Sequence, residues 1–153
     1  MTKRITAALL ALCLALALAA CGNGSEPELN IDELGEELYA AGTFGETLYP
    51  LDESVAQGLY GTDADTRCWV RAGSGATAEE LAVFETKDAD AAAALVKKLE
   101  ARNADRIESY SSYIPEEVPK LENAVILSGG RYVVLCVAKD ASAVREAAEK
   151  ALG

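Results

Sequence analysis

Histidine is missing from all 153 residues, and that absence removes the commonest general base and the commonest transition-metal ligand together. Cations are scarce as well, with 14 Lys and Arg against 25 Asp and Glu. A chain this acidic repels polynucleotides and bare anionic lipid, so nucleic-acid binding is not expected. Aromatic residues are few, and the only tryptophan is Trp69. Cysteine is limited to Cys13, Cys21, Cys68 and Cys136. The prolines number four, and two of them, Pro115 and Pro119, fall within one short stretch, YIPEEVPKLENA, which breaks the chain there.

One long apolar run is present, and it stands at the start. In MTKRITAALLALCLALALAAC, Lys3 and Arg4 precede an apolar segment from Ile5 to Ala20 that is too short to span a bilayer comfortably. This is the pattern of an export signal over residues 1–20. Its last residues, Leu18, Ala19, Ala20 and Cys21, look like a bacterial lipobox. There the cysteine thiol takes a diacylglyceryl group and the peptide is cut before it. An ordinary cut at Ala20, or a retained anchor, is the plainer alternative. The context favours lipidation, because Gly22-Asn23-Gly24-Ser25 opens a flexible polar tether over residues 21–29. Each buried methylene of such a group contributes about 0.8 kcal/mol, so two long acyl chains hold a protein on a membrane almost permanently. The expected location is the extracytoplasmic face of the cell membrane, with the diacylglyceryl-cysteine as the membrane contact.

Without residues 1–20 the chain keeps 12 basic and 25 acidic residues, a net side-chain charge of −13, and enough length for one domain over residues 30–153. Two lobes around a solute cleft would need more chain. Asn30 or Asp32 can cap a short helix carrying Ile31, Leu34 and Leu38, stopped at Gly42, and Asp52 can start another with Val55 and Leu59 inward, ending near Gly61. From Thr66 the pattern becomes β-β-α-β-β-α. TRCWVRA alternates Cys68 and Val70 with Arg67, Trp69 and Arg71, Gly73-Ser74-Gly75 turns the chain, and a second strand runs through Leu81, Val83 and Phe84. Asp88 caps a long helix over about 88–111, Ala124–Ser128 and Arg131–Ala138 flank Gly129-Gly130, and a last helix follows Asp140. The run YVVLCVA, apolar on both faces, belongs at the sheet centre. The expected class is α+β: a four-stranded, largely antiparallel sheet with its helices on one face, preceded by short N-terminal helices. Its expected core includes Val70, Leu81, Val83, Leu95, Leu99, Val134, Leu135 and Val144.

Several residues invite a functional reading. Cys68 and Cys136 either pair, which requires neighbouring strands and suitable Cα spacing, or serve as small buried hydrophobes. Arg67, Trp69 and Arg71 share one strand face, forming either a patch for a flat or anionic ligand or a cover for the sheet beneath the N-terminal helices. Lys98, Arg102 and Arg106 recur at i, i+4 and i+8, either as a solvated row paired with carboxylates or as a docking site for an anionic partner. The only candidates for carboxylate catalysis are Glu79, Glu80, Glu116 and Glu117 with Tyr113, and these adjacent glutamates are expected in polar, exposed segments where nothing splits their pKa values. Calcium binding through Asp63 and Asp65, or Asp88 and Asp90, lacks the ligand series of a calcium loop. Gly73-Ser74-Gly75 lacks the lysine and helix of a phosphate loop. No catalytic residue, metal or cofactor is therefore expected.

Leu59-Tyr60-Gly61, EELAVFETKD from Glu79 to Asp88, Arg102, Tyr113-Ile114-Pro115-Glu116-Glu117, Glu122-Asn123-Ala124 and Gly130-Arg131-Tyr132 together make a further pattern. In order and spacing they resemble the domain-of-unknown-function family 4358, over Leu29 to Leu152. The resemblance implies a small lipid-anchored extracytoplasmic domain of the kind found mostly in Gram-positive clostridial-type bacteria, with no assigned activity and no catalytic residues to carry over. It lends nothing to a Cys68–Cys136 pairing. The expected role is a non-catalytic lipoprotein that binds an envelope protein or cell-wall polymer.

Overall fold

A computed structural model describes residues 28–153, so the signal segment, the Leu18-Ala19-Ala20-Cys21 motif and the start of the tether lie outside the described residues. Helix α1 spans Ile31–Ala41, strand β1 Tyr49–Pro50, α2 Glu53–Tyr60, β2 Arg67–Ala72, β3 Glu80–Glu85 and α3 Ala89–Tyr113. A 3-10 turn over Pro115–Glu117 leads into α4 at Val118–Glu122, then β4 at Val125–Gly129, β5 at Tyr132–Val137 and α5 at Ser142–Leu152. The strands form one antiparallel sheet in the order β1-β2-β3-β5-β4. Five strands replace the expected four because Tyr49-Pro50 adds a two-residue edge pairing to Ala72 and Arg71, too short to alternate. Pro50 is tolerated there because an edge strand can spare an amide donor.

The caps explain the helix limits. Asn30 Oδ1 accepts from the Asp32 and Glu33 amides at the start of α1, and Asp88 Oδ1 accepts from the Ala91 amide at the start of α3. Gly61 ends α2 in the left-handed region at φ 63°. Among the described residues, no helix is long and apolar enough to cross a membrane.

The helices cover both faces of the sheet, which corrects the single-faced expectation. On one face Ile31, Leu34 and Leu38 of α1 and Val144, Ala148 and Leu152 of α5 pack on Leu81, Val83, Tyr132, Val134 and Cys136. On the other, Ala56 and Tyr60 of α2 and Ala92, Leu95 and Leu99 of α3 pack on Val70, Ala82, Phe84, Val133, Leu135 and Val137. Successive strand residues point to opposite faces, so ELAVFE and YVVLCV bury apolar side chains in both directions and need a helical layer on each. The expected core residues are all buried. In α2, however, Val55 and Leu59 face solvent, whereas Ala56 and Tyr60 point inward. Tyr60 prevails because its ring meets Phe84 edge-on at 5.1 Å and its hydroxyl reaches a buried acceptor.

Candidate functional site

The chemistry gathers at the end of the sheet where β3 begins. Glu79 and Glu80 are both buried there, against expectation, and being adjacent on extended backbone they turn to opposite layers. Glu80 enters the α2–α3 layer. Its Oε1 accepts from Arg102 Nη1 at 2.7 Å and its Oε2 from Arg102 Nη2 at 3.1 Å, a two-pronged pair. Arg106 Nη1 also donates to Oε1, and Tyr60 donates its hydroxyl to Oε2 at 2.8 Å. The network is closed by Arg106 Nη2 on the Ala78 carbonyl and by Arg102 stacked 4.6 Å from the Tyr60 ring centre. Burial, reinforced by the neighbouring Glu80 charge, pushes the Tyr60 phenol well above its ordinary value.

Glu79 turns the other way. Its Oε2 accepts from the Gly45 and Glu46 amides at 2.7 and 3.2 Å, fastening the loop after α1. Its Oε1 lies 3.1 Å from Lys120 Nζ, within ion-pair distance but without directed hydrogen-bond geometry. The same ammonium donates to Glu117 Oε1 at 2.9 Å, and Glu117 Oε2 accepts from the Ala78 amide at 2.8 Å. Desolvation works against the Lys120 charge, but the hydrogen bond to Glu117 and the ion-pair contact with Glu79 outweigh it and raise its pKa. Glu46 holds the Gly73-Ser74-Gly75 loop through Ser74 Oγ at 2.8 Å, the Ser74 amide and the Thr77 hydroxyl. Those hydrogen bonds, Thr77 first, lower its pKa. The loop amide at Ser74 is thus spent on a carboxylate of the same chain.

Beyond Lys120 the surface opens into a cleft of about 370 Å³, bounded by α4, the start of β4 and the β5–α5 connection. Lys120, Lys139 and Arg145 line it together with Asn123, Ser142 and one carboxylate, Asp140.

The residues read as a binding surface have internal partners. Trp69 is half-buried beneath α1, where a Cβ at Gly35 would overlap its ring. Arg67 pairs with Asp32 and Glu85, and Arg71 pairs with Glu36 while lying over the Tyr39 and Trp69 rings. Lys98 donates to the Gly61 carbonyl at 2.9 Å. Arg102 and Arg106 are held by Glu80 rather than by a solvated row. Cys68 and Cys136 are free thiols. They sit two strands apart across β3 and face opposite layers, so the disulfide alternative is excluded by geometry. Glu116 and Tyr113 are exposed and join no carboxylate pair, while the Asp88 side chain is spent on its helix cap. Among the described residues no group of three or more Cys, Asp or Glu side chains is arranged to hold a metal ion.

Sequence reasoning missed the burial of Glu79, Glu80 and Glu117 and the lining of the cleft. A usable signal did exist: Leu95, Leu99, Arg102 and Arg106 step by four, three and four along one helix stripe, so the two arginines continue a buried face. Guanidiniums on such a stripe require a buried anion.

The family model described as Domain of unknown function (DUF4358) matches residues 46–138. The chain belongs to that family. The matched range holds the whole sheet, α2, α3 and α4, and leaves outside it α1 and α5, the helices that make the other layer. No curated protein and no solved structure matches the chain.

Proposed function

We propose that the chain is a lipid-anchored lipoprotein on the extracytoplasmic face of the cell membrane, serving the envelope as a non-catalytic binding or accessory domain. The observation that carries the non-catalytic part is the closure of the charge network. Each of the buried carboxylates Glu79, Glu80 and Glu117 meets a cation of the chain and at least one further internal donor. A general acid or base has to present its oxygen to a substrate, and these oxygens are turned inward. The anchor rests on Cys21 at the end of the apolar run. Replacing Cys21→Ala is expected to abolish incorporation of a fatty-acid probe and the membrane-held mature form. Labelling equal to that of the unaltered chain would refute the anchor.

A further inference from the structure

We propose that the cleft between α4 and the start of α5 is a binding site for a phosphate group, with Lys120 as its fixed cation and Lys139 and Arg145 as its rim. The inference rests on the reading of the chain as an envelope binding module and supplies the class of ligand. In a chain with 25 acidic residues and 14 basic ones, this one cleft is lined by three cations and a single carboxylate. One oxygen of that carboxylate, Asp140 Oδ1, accepts from the Ser142 amide at 2.9 Å and from Ser142 Oγ at 2.7 Å.

Two of these cations, Arg145 and Lys139, carry no ion pair among the described residues, as is also true of Lys87, Lys97, Lys98 and Lys150. Of the described arginines, Arg67, Arg71, Arg102, Arg106 and Arg131 each pair with a carboxylate, and Arg145 does not. Lys120 is the reverse case, fixed in place by Glu79 and Glu117 with its side chain only 18% exposed. A cation already positioned by buried anions costs little further ordering when it meets a ligand. Lys139 and Arg145, both without an ion pair, suit a multi-oxygen anion, with the arginine fork binding two oxygens and the lysine acting as a point charge, while Lys120, whose charge Glu79 and Glu117 already balance, can add only a hydrogen bond. A cleft of about 370 Å³ is also at the small end of ligand sites, large enough for a phosphate ester.

The fold also separates this cleft from the tether. The Leu29 amide donates to the Tyr132 hydroxyl at 3.0 Å, which ties the incoming chain to the first residue of β5. Ala138 and Lys139, in the cleft, follow the last residue of that strand. A strand of this length runs about 17–20 Å, so the cleft lies at the end of the sheet opposite the point where the chain enters at Leu29. The phosphate assigned to it is that of a soluble ester or wall phosphodiester, with a headgroup of the supporting bilayer as the competing source.

The test is equilibrium dialysis of the full chain, held in zwitterionic nanodiscs, against radiolabelled inorganic phosphate at low salt. Saturable one-to-one binding is expected. Lys139→Gln with Arg145→Gln, both at exposed positions, should weaken it at least about tenfold. Lys97→Gln with Lys150→Gln, an equal change of charge at exposed positions elsewhere, should leave it within about twofold. Binding that never saturates, or an equal loss in both double variants, overturns the site. Nanodiscs containing phosphatidylglycerol separate the two sources. Unchanged phosphate affinity supports a soluble or wall-borne ligand, whereas competition by the lipid, lost in Lys139→Gln with Arg145→Gln, overturns that assignment. Lipid labelling at Cys21 is measured independently, so the anchor and the phosphate site fail separately.

Discussion

Cys136 shows what burial does to a single titratable group here. Enclosed between β3 and β4 under the α1–α5 layer, its thiol is pushed up to about 12, chiefly by desolvation and further by Glu80 and Glu79. A group raised in the folded state keeps its proton after the unfolded chain has begun to lose it. Stability is therefore fully present below the ordinary thiol value of 9.0 and falls as pH rises from there towards 12. Tyr60, raised by desolvation from 10.0, adds a loss of the same sign at higher pH. Denaturant unfolding measured at pH 8 and pH 10 should give a lower midpoint at pH 10, and Cys136→Ala should flatten that slope even though it lowers stability overall. A midpoint that rises with pH would contradict the assignment. The apolar run around Cys136 made its burial legible from sequence, whereas the carboxylates near it were not, because a glutamate pair beside a glycine-rich turn ordinarily faces water.

At the scale of elements, α1 shows how a helix selects its seat. Gly35 lies on its inward side, and the missing side chain lets the Trp69 ring of β2 fit against the backbone. Gly35→Ala sets two effects against each other. Helix propensity favours alanine by about 1 kcal/mol, while overpacking costs about 1–3 kcal/mol. Because the new Cβ would overlap the ring itself, the steric term wins, and the substitution is expected to lower thermal stability. A raised melting temperature would show that α1 is free to shift off Trp69. The existence of α1, α3, β5 and their caps could be read from periodicity and capping residues. The inward face of α2 could not, since Val55 with Leu59 and Ala56 with Tyr60 are both spaced by four, and only the reach of Tyr60 to Phe84 and Glu80 decides between them.

For the whole molecule, the sheet divides its polar groups by role. Buried ions near one end join the layers and the adjoining loops, while two cations without an ion pair, Lys139 and Arg145, line the cleft. The two helical layers were foreshadowed by a strand apolar on both faces, yet the order β1-β2-β3-β5-β4 and the juxtaposition of Lys120 with Lys139 and Arg145 depend on long-range pairing that no local pattern encodes. The central claim is that the buried carboxylates fasten the fold and the cleft meets the ligand. Its most direct test is one paired measurement, denaturant stability and phosphate affinity on the same two variants. Glu80→Gln leaves Arg102 and Arg106 without their counter-charge and should cost about 3–5 kcal/mol of stability while the folded protein keeps its affinity for phosphate. Lys139→Gln with Arg145→Gln should do the reverse, losing affinity at nearly unchanged stability. A Glu80→Gln protein that is fully stable but no longer binds phosphate would contradict the account, since it would place Glu80 in the ligand's path instead of in the frame.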